Sequence, residues 1–357
     1  MRTSTGVVVS VSLRRVPRPP EDSPQPNARR PAGDRLRGIK FSLKVAYISD
    51  RVLLISDSKP VPLQSILAPS ALDWTLDGLT VGSEKDLFWY ENAKNATLTD
   101  YSWFQSDIQF IYLHTNFAAD TALNPSAAKL KPPPSIVGDS HMNAGGGFTR
   151  THLLASSCMM RALFRASAPL QADYTRMMAG VLNATGPLPP YAAMHFRCGG
   201  MGDLGEDTEV RRTGDNIRAF VNGLACVRLA AHKHHITAPI VVLTDNKALR
   251  KSIIAGYFGT RVVTTGARAV HIDWLPTSDN KTTEHIADWV ARETRTIYAD
   301  LMVLTGARCL VAASRSGFSN LAHGWGALDF FYGHTHECLK APLHASLRAV
   351  FNLPHKW

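Results

Sequence analysis

The feature that most constrains this chain is an alternation running through its second half. Short apolar runs recur between amphipathic stretches: a strand over 191–197, a helix about 214–234, a strand Ile240–Thr244, a helix about 246–256, a strand Arg261–Thr265, a helix about 281–304, a strand Cys309–Ala313 and a helix about 317–327. Continuous apolar strands separated by helices predict an α/β fold with a doubly wound parallel sheet, because only a sheet covered on both faces buries such strands. Ligands in these sheets sit beyond the carboxyl ends of the strands. The loops after residues 197, 244, 265 and 313 are therefore where chemistry is expected.

The first half is less regular. Arg35 to Tyr47 is amphipathic at helical spacing and leads into the apolar run Arg51–Ser56, a helix feeding a buried parallel strand. Phe110–Leu113 reads as a second strand, residues 124–150 carry Pro132–Pro134 and Gly145–Gly147 and read as a long loop, and 151–183 reads as a helical segment. A linker-like Gly186-Pro-Leu-Pro-Pro190 follows. With 357 residues, 45% of them hydrophobic, two domains are expected. Their boundaries are read as a disordered tail over 1–32, an N-terminal domain over 33–188 and a C-terminal domain over 189–357.

The net charge of +10 at first points to a polyanionic partner. Its distribution says otherwise. Residues 1–44 hold ten basic and three acidic side chains, so the remaining body is near neutral at +3. Residues 14–31 contain six prolines and five arginines and almost nothing apolar, a composition that cannot bury a core. Val7–Leu13 is apolar, but too short for a membrane span and without the cleavage site of a signal peptide. The five cysteines form no C-x-x-C pair and no zinc spacing. Three N-x-[ST] triplets at Asn95, Asn183 and Asn280 permit a secretory location, although about two are expected by chance.

Three segments carry chemistry. In Met194-His195-Phe-Arg197-Cys-Gly199-Gly-Met-Gly-Asp203, His195 and Arg197 lie two apart at a strand end and share a face, and the glycines let a ligand approach the backbone. Arg197 suits planar, two-pronged contact with phosphate. The plain alternative is a core histidine beside a surface ion pair. In Asp300…Ser314-Arg-Ser316-Gly317-Phe318-Ser319, hydroxyls and backbone N–H groups gather at a helix N-terminus, where anionic oxygens bind and where an ordinary N-cap would look the same. The third is Gly33-Asp-Arg35-Leu-Arg37-Gly38, a basic turn opening the first helix.

In this order and spacing, over about residues 33–335, the three segments resemble the GDP-fucose-dependent fucosyltransferases of GT-B fold, a group that includes the nodulation, core α-1,6-, xyloglucan and protein O-fucosyltransferases. The resemblance implies two Rossmann-like domains facing across a cleft. It implies that Arg197 contacts the donor β-phosphate, that His195 lies near the ribose and base, and that Asp300 reads the N–H groups of guanine. Ser314, Ser316, Gly317, Phe318 and Ser319 would contact the donor phosphate and fucose, and Arg35 would face the cleft from the N-terminal domain. Related chains have a first strand and a G-x-G before this turn; here Pro31-Ala-Gly33 and the proline-rich tail stand in that place.

The implied reaction is inverting transfer of fucose from GDP-fucose to a glycan or protein hydroxyl, in the Golgi or ER lumen. No D-x-D pair occurs in the sequence to hold the metal that many glycosyltransferases use, so no metal or cofactor is expected and an arginine-based displacement is. Asp203 and Glu206, with Asp207, are the candidates for general base, against a plain reading as solvated loop carboxylates. Asp245, at the end of Val241–Thr244, either lines the nucleotide cleft or caps the next helix. His232–His235 and His334–Cys338 lack metal spacing, and the aromatic runs 87–90 and 101–104 read as core ahead of a sugar platform. The expected partners are a nucleotide sugar and a glycan or glycoprotein acceptor, without nucleic acid and without a membrane anchor in this chain. Two alternatives stay open: a GT-B transferase for another nucleotide sugar, and a non-catalytic polyanion-binding protein.

Overall fold

The computed structural model describes residues 7–12, 51–56, 61–75, 87–91, 110–114, 150–197, 201–202, 205–206, 213–266, 275, 284–312, 316–326 and 330–332, together with Leu36, Ile39, Ser42, Leu43 and Ala46. The chain divides into two compact units, one formed by Met1–Leu170 with Leu275–Arg295, the other by Gln171–Trp274 with Thr296–Trp357.

The first unit is built on four parallel strands: β1 (Val7–Ser12), β2 (Arg51–Ser56), β4 (Leu87–Glu91) and β5 (Phe110–His114), in the order β2-β1-β5-β4. Placing β1 inside the sheet corrects the reading of a disordered tail for Val7–Ser12; the rest of 1–32 lies outside the described residues. Val7–Ser12 alternates valine with serine too briefly to stand out beside the arginine- and proline-rich residues that follow, yet it pairs with β2 and β5 along its length. Leu36, Ile39, Ser42, Leu43 and Ala46 are helical, and all but Leu43 are buried, the 3- and 4-residue spacing of one helix face. Leu53, Leu54 and Ile55 of β2 are buried as expected.

A second correction concerns 151–183. This stretch is two helices, α1 (Arg150–Leu163) and α2 (Ala168–Leu182), separated by the short strand β6 (Phe164–Ala166). β6 pairs antiparallel with β3 (Leu67–Pro69), and Pro169 stands in the first turn of α2, where its missing N–H costs nothing. Trp74, fully buried, fastens this junction: its indole N–H donates to the Leu163 carbonyl at 2.7 Å, and its ring meets Phe164 edge-on at 5.4 Å.

The second unit holds five parallel strands: β7 (Ala192–Phe196), β10 (Ile240–Thr244), β11 (Val262–Val263), β12 (Cys309–Ala312) and β13 (Phe330–Tyr332), in the order β11-β10-β7-β12-β13. The helices α3 (Thr213–Lys233), α4 (Lys247–Ile254), α5 (Glu284–Thr305) and α6 (Gly317–Gly326) alternate with them. Every residue of β7, β10 and β12 is buried, and each fully buried Val, Leu or Ile contributes about 1.5–3 kcal/mol. A small antiparallel pair, β8 (Met201–Gly202) and β9 (Gly205–Glu206), follows β7.

The division between units falls at Leu170/Gln171 and returns Leu275–Arg295 to the first unit, so the boundary read at 188/189 is displaced. The physical reason lies in α2. Tyr174 hydrogen-bonds Tyr191, whose hydroxyl donates to the Val303 carbonyl at 2.7 Å, so most of α2 belongs with the second sheet and Gly186–Pro190 is an internal loop of that unit. Of the stretch 124–150 read as a loop, residues 124–149 lie outside the described residues, and Arg150 already belongs to α1.

Candidate functional site

In the second sheet the strand order reverses between β7 and β12. The chain leaves β7 toward β10 and β11, then returns to β12 on the opposite side of β7. Such a switch point opens a crevice at the carboxyl ends of the two strands, because their connections depart in opposite directions. The H-x-R segment ends β7, and the Ser316–Ser319 segment follows β12.

Register brings them level: Ala312 of β12 lies opposite His195 of β7. His195 is buried, and its Nδ1 lies 2.6 Å from the Ser319 hydroxyl oxygen, 124 residues further along the chain. The Phe318 ring stands 5.5 Å from the imidazole, centroid to centroid. Burial pushes the imidazole down to about 4; the Asp245 carboxylate opposes that shift and the Arg197 guanidinium adds to it. His195 is therefore neutral at neutral pH.

Arg197 and Asp245 meet by the same logic of register. Thr244 of β10 pairs with Phe196 of β7, so the residues that follow each strand are neighbours, and Arg197 Nε lies 3.9 Å from Asp245 Oδ2. Their side chains are 34% and 29% exposed, so the pair borders solvent at the carboxyl edge. Asp245 does not cap the next helix. That role belongs to Asn246, whose side chain accepts from the Leu249 N–H at 2.9 Å.

Ser316 is buried and does what an N-cap does: its hydroxyl accepts from the Phe318 N–H at 3.2 Å, and its carbonyl accepts from the Asn320 N–H at 3.1 Å. The helix α6 starts at Gly317, which keeps the entry to the helix free of a Cβ. Ser319 is fully buried and spends its hydroxyl on His195. That contact fixes the position of the imidazole Nδ1.

Asp300 lies on α5 and accepts a hydrogen bond from the Thr265 hydroxyl at 3.2 Å, just past the end of β11. Burial raises its carboxyl to about 7, against the lowering effects of the Thr265 hydroxyl and the nearby Arg250. Arg250 is itself buried. A carboxyl raised by burial at the carboxyl side of a parallel sheet is the kind of perturbed group that marks functional sites. Thr265 and Arg250 were not singled out from the sequence. Thr265 falls in one of the loops marked for attention, whereas Arg250, in Ala248-Leu-Arg-Lys251, looks like any surface cation.

Of the other candidates, Arg35, Asp203 and Ser314 lie outside the described residues, and Glu206 is placed as backbone only, on β9. The structure thus brings His195, Arg197, Asp245, Ser316, Phe318 and Ser319 to one end of β7 and β12, with Asp300 two strands away beside Thr265. Among the described residues no three His, Cys, Asp or Glu side chains gather as a metal site would require.

No family model matches the chain, and no curated protein matches it. Among solved structures it is similar to the NodZ α-1,6-fucosyltransferase soaked with GDP-fucose, with 10% identity and a TM-score of 0.48 over 90% of this chain and 92% of that one. It is similar also to an Arabidopsis thaliana FUT1 variant in complex with GDP, with 13% identity and a TM-score of 0.48 over 91% and 69%. A third similarity is to POFUT1 in complex with GDP-fucose, with 14% identity and a TM-score of 0.44 over 92% and 98%.

Proposed function

We propose that the chain is a GT-B glycosyltransferase that moves fucose from GDP-fucose to a glycan or protein hydroxyl with inversion. The observation that carries this reading is the convergence of the H-x-R and Ser316–Ser319 segments at the switch point of the second sheet, tied by the 2.6 Å contact between His195 and Ser319. A diphosphate seated there would meet the fixed charge of Arg197 and the amino end of α6. Asp300, held by Thr265, would accept from guanine once ionised.

The acceptor oxygen attacks the anomeric carbon as the bond to the β-phosphate oxygen breaks. Negative charge grows on the leaving GDP, so Arg197 stabilises the transition state more than the ground state. The acceptor proton passes to a carboxylate, for which Asp203 and Glu206 remain the candidates. His195, neutral and held by Ser319, offers an uncharged hydrogen-bonding ring to the ribose. In this reading the nucleotide needs no bound metal, and the work takes place in the Golgi or ER lumen. The disulfide at Cys226 supports an oxidising compartment. No helix among the described residues is long and apolar enough to cross a membrane.

The test is a thermal-shift panel of GDP, UDP, ADP and their sugars, since a ligand bound by the native state raises its melting temperature. GDP and GDP-fucose should stabilise the protein and UDP-sugars should not. Stabilisation by UDP-sugars instead would move the assignment to another donor, and stabilisation by none of them would remove it.

A further inference from the structure

We propose that Asn183 carries an N-linked glycan. The triplet Asn183-Ala184-Thr185 is one of three such sites, and a triplet alone carries little. Its place in the fold carries more. Asn183 is the residue immediately after α2, exposed, in the left-handed region at φ 49°, with the turn closed by the Ala184 N–H donating to the Ala179 carbonyl at 3.0 Å. A left-handed residue at a helix end is commonly glycine or asparagine, which accounts for Asn183 without any glycan. Thr185 is exposed, as are Gly186 and Pro187, so the chain leaves the helix over open surface with room for a large hydrated substituent.

The second, independent observation is chemical. Cys226 is disulfide-bonded, and a structural disulfide forms and persists in the oxidising lumen where N-glycosylation also takes place. In the modification the Asn183 side-chain nitrogen attacks the anomeric carbon of an oligosaccharide carried on a polyprenyl diphosphate. The C–O bond to the diphosphate breaks, the polyprenyl diphosphate leaves, the amide gives up one proton, and a C–N bond takes the place of the C–O bond. No redox change is involved. The glycan would stand at the end of α2, apart in sequence from the residues of the candidate site.

The experiment is secretion of the full chain from insect cells behind an appended signal, followed by release with peptide N-glycosidase in heavy-oxygen water and peptide mass spectrometry. Residue 183 should be recovered as isotope-labelled aspartate. Thr185→Ala should abolish the label and remove one glycan from the intact mass, while leaving in place the asparagine that the turn uses, and Thr185→Ser should retain both. Recovery of unmodified Asn183 from folded, disulfide-bonded protein would overturn the proposal, as would glycan confined to Asn95 or Asn280. The result is independent of whether the protein turns over GDP-fucose.

Discussion

Asp300 offers the sharpest test of donor recognition, because the structure gives its carboxyl a pKa of about 7. A carboxylate reads guanine by accepting its N–H groups, and a carboxylic acid does so poorly. Guanine binding should therefore expel a proton when the pH is below about 7. Each pH unit below that value costs up to about 1.4 kcal/mol, or tenfold in affinity, so two units give up to about a hundredfold. ADP shares the diphosphate and its titration, and the ratio of GDP to ADP affinity isolates the base. Measured by isothermal titration calorimetry between pH 5 and 8, the ratio should climb and then level off near pH 7, and in Asp300→Asn it should be low and flat. The same shift bears on stability. Its folded-state pKa is raised above the ordinary 3.8, so the stability it confers is complete below pH 3.8 and lost as pH rises through about 7. Asp300→Asn should accordingly be more stable to unfolding than the parent at pH 8, by no more than about 4 kcal/mol since a partly exposed carboxyl keeps some solvation, and the gap should close toward pH 4. A GDP-to-ADP ratio that stays constant across the range would refute the reasoning.

Four further variants test the geometry. Arg197→Ala should abolish transfer from GDP-fucose while leaving the melting temperature close to that of the parent, and turnover that survives would remove the basis of the proposed function. Asp245→Asn removes a charge 3.9 Å from Arg197, a Coulomb energy of about 4 kcal/mol at an effective dielectric of about 20 that exposure reduces toward about 1 kcal/mol, so kcat/KM should fall roughly five- to thirtyfold. The same variant should shift the NMR titration of His195 to lower pH, since the carboxylate that raises it is gone; a shift upward would contradict the assignment. Ser319→Ala leaves the buried Nδ1 of His195 without its partner and should cost about 1–3 kcal/mol in denaturant unfolding. Gly306→Ala would put a methyl group 2.9 Å from the Tyr174 hydroxyl, 3.0 Å from that of Tyr191 and 3.2 Å from the Met302 carbonyl, so a loss of about 1–3 kcal/mol is expected in chemical melts.

Four of the five strands of the second sheet were legible in the sequence, β13 was not, and the first sheet was much less so. Strands such as Ile240–Thr244 are buried on both faces, so their apolar runs are continuous and their flanking helices periodic; their ends were placed within about three residues. Val7–Ser12 defeated the same reasoning because composition averaged over the first thirty residues is dominated by arginine and proline. The linker Gly186–Pro190 misled for a related reason: turn chemistry marks where a chain bends and says nothing of which sheet the preceding helix joins. Within the site, His195 and Arg197 could be named from local pattern, and Asp300 from the family resemblance. Their partners could not, because the contact with Ser319 spans 124 residues and that of Thr265 with Asp300 spans 35. Such pairs are set by sheet order.

The interior position of β1 reaches into how the molecule is made. It precedes one of its neighbours, β5, along the chain, with Val8 opposite Phe110, so a ribosome must extend the chain by about a hundred residues after β1 before that seam can close. Until then the nascent strand has an unsatisfied hydrogen-bonding edge, the condition under which chains associate wrongly. Trimming residues 1–32, which the composition of 14–31 invites, would take out the strand that joins β2 to β5 and leave the first sheet in two pieces.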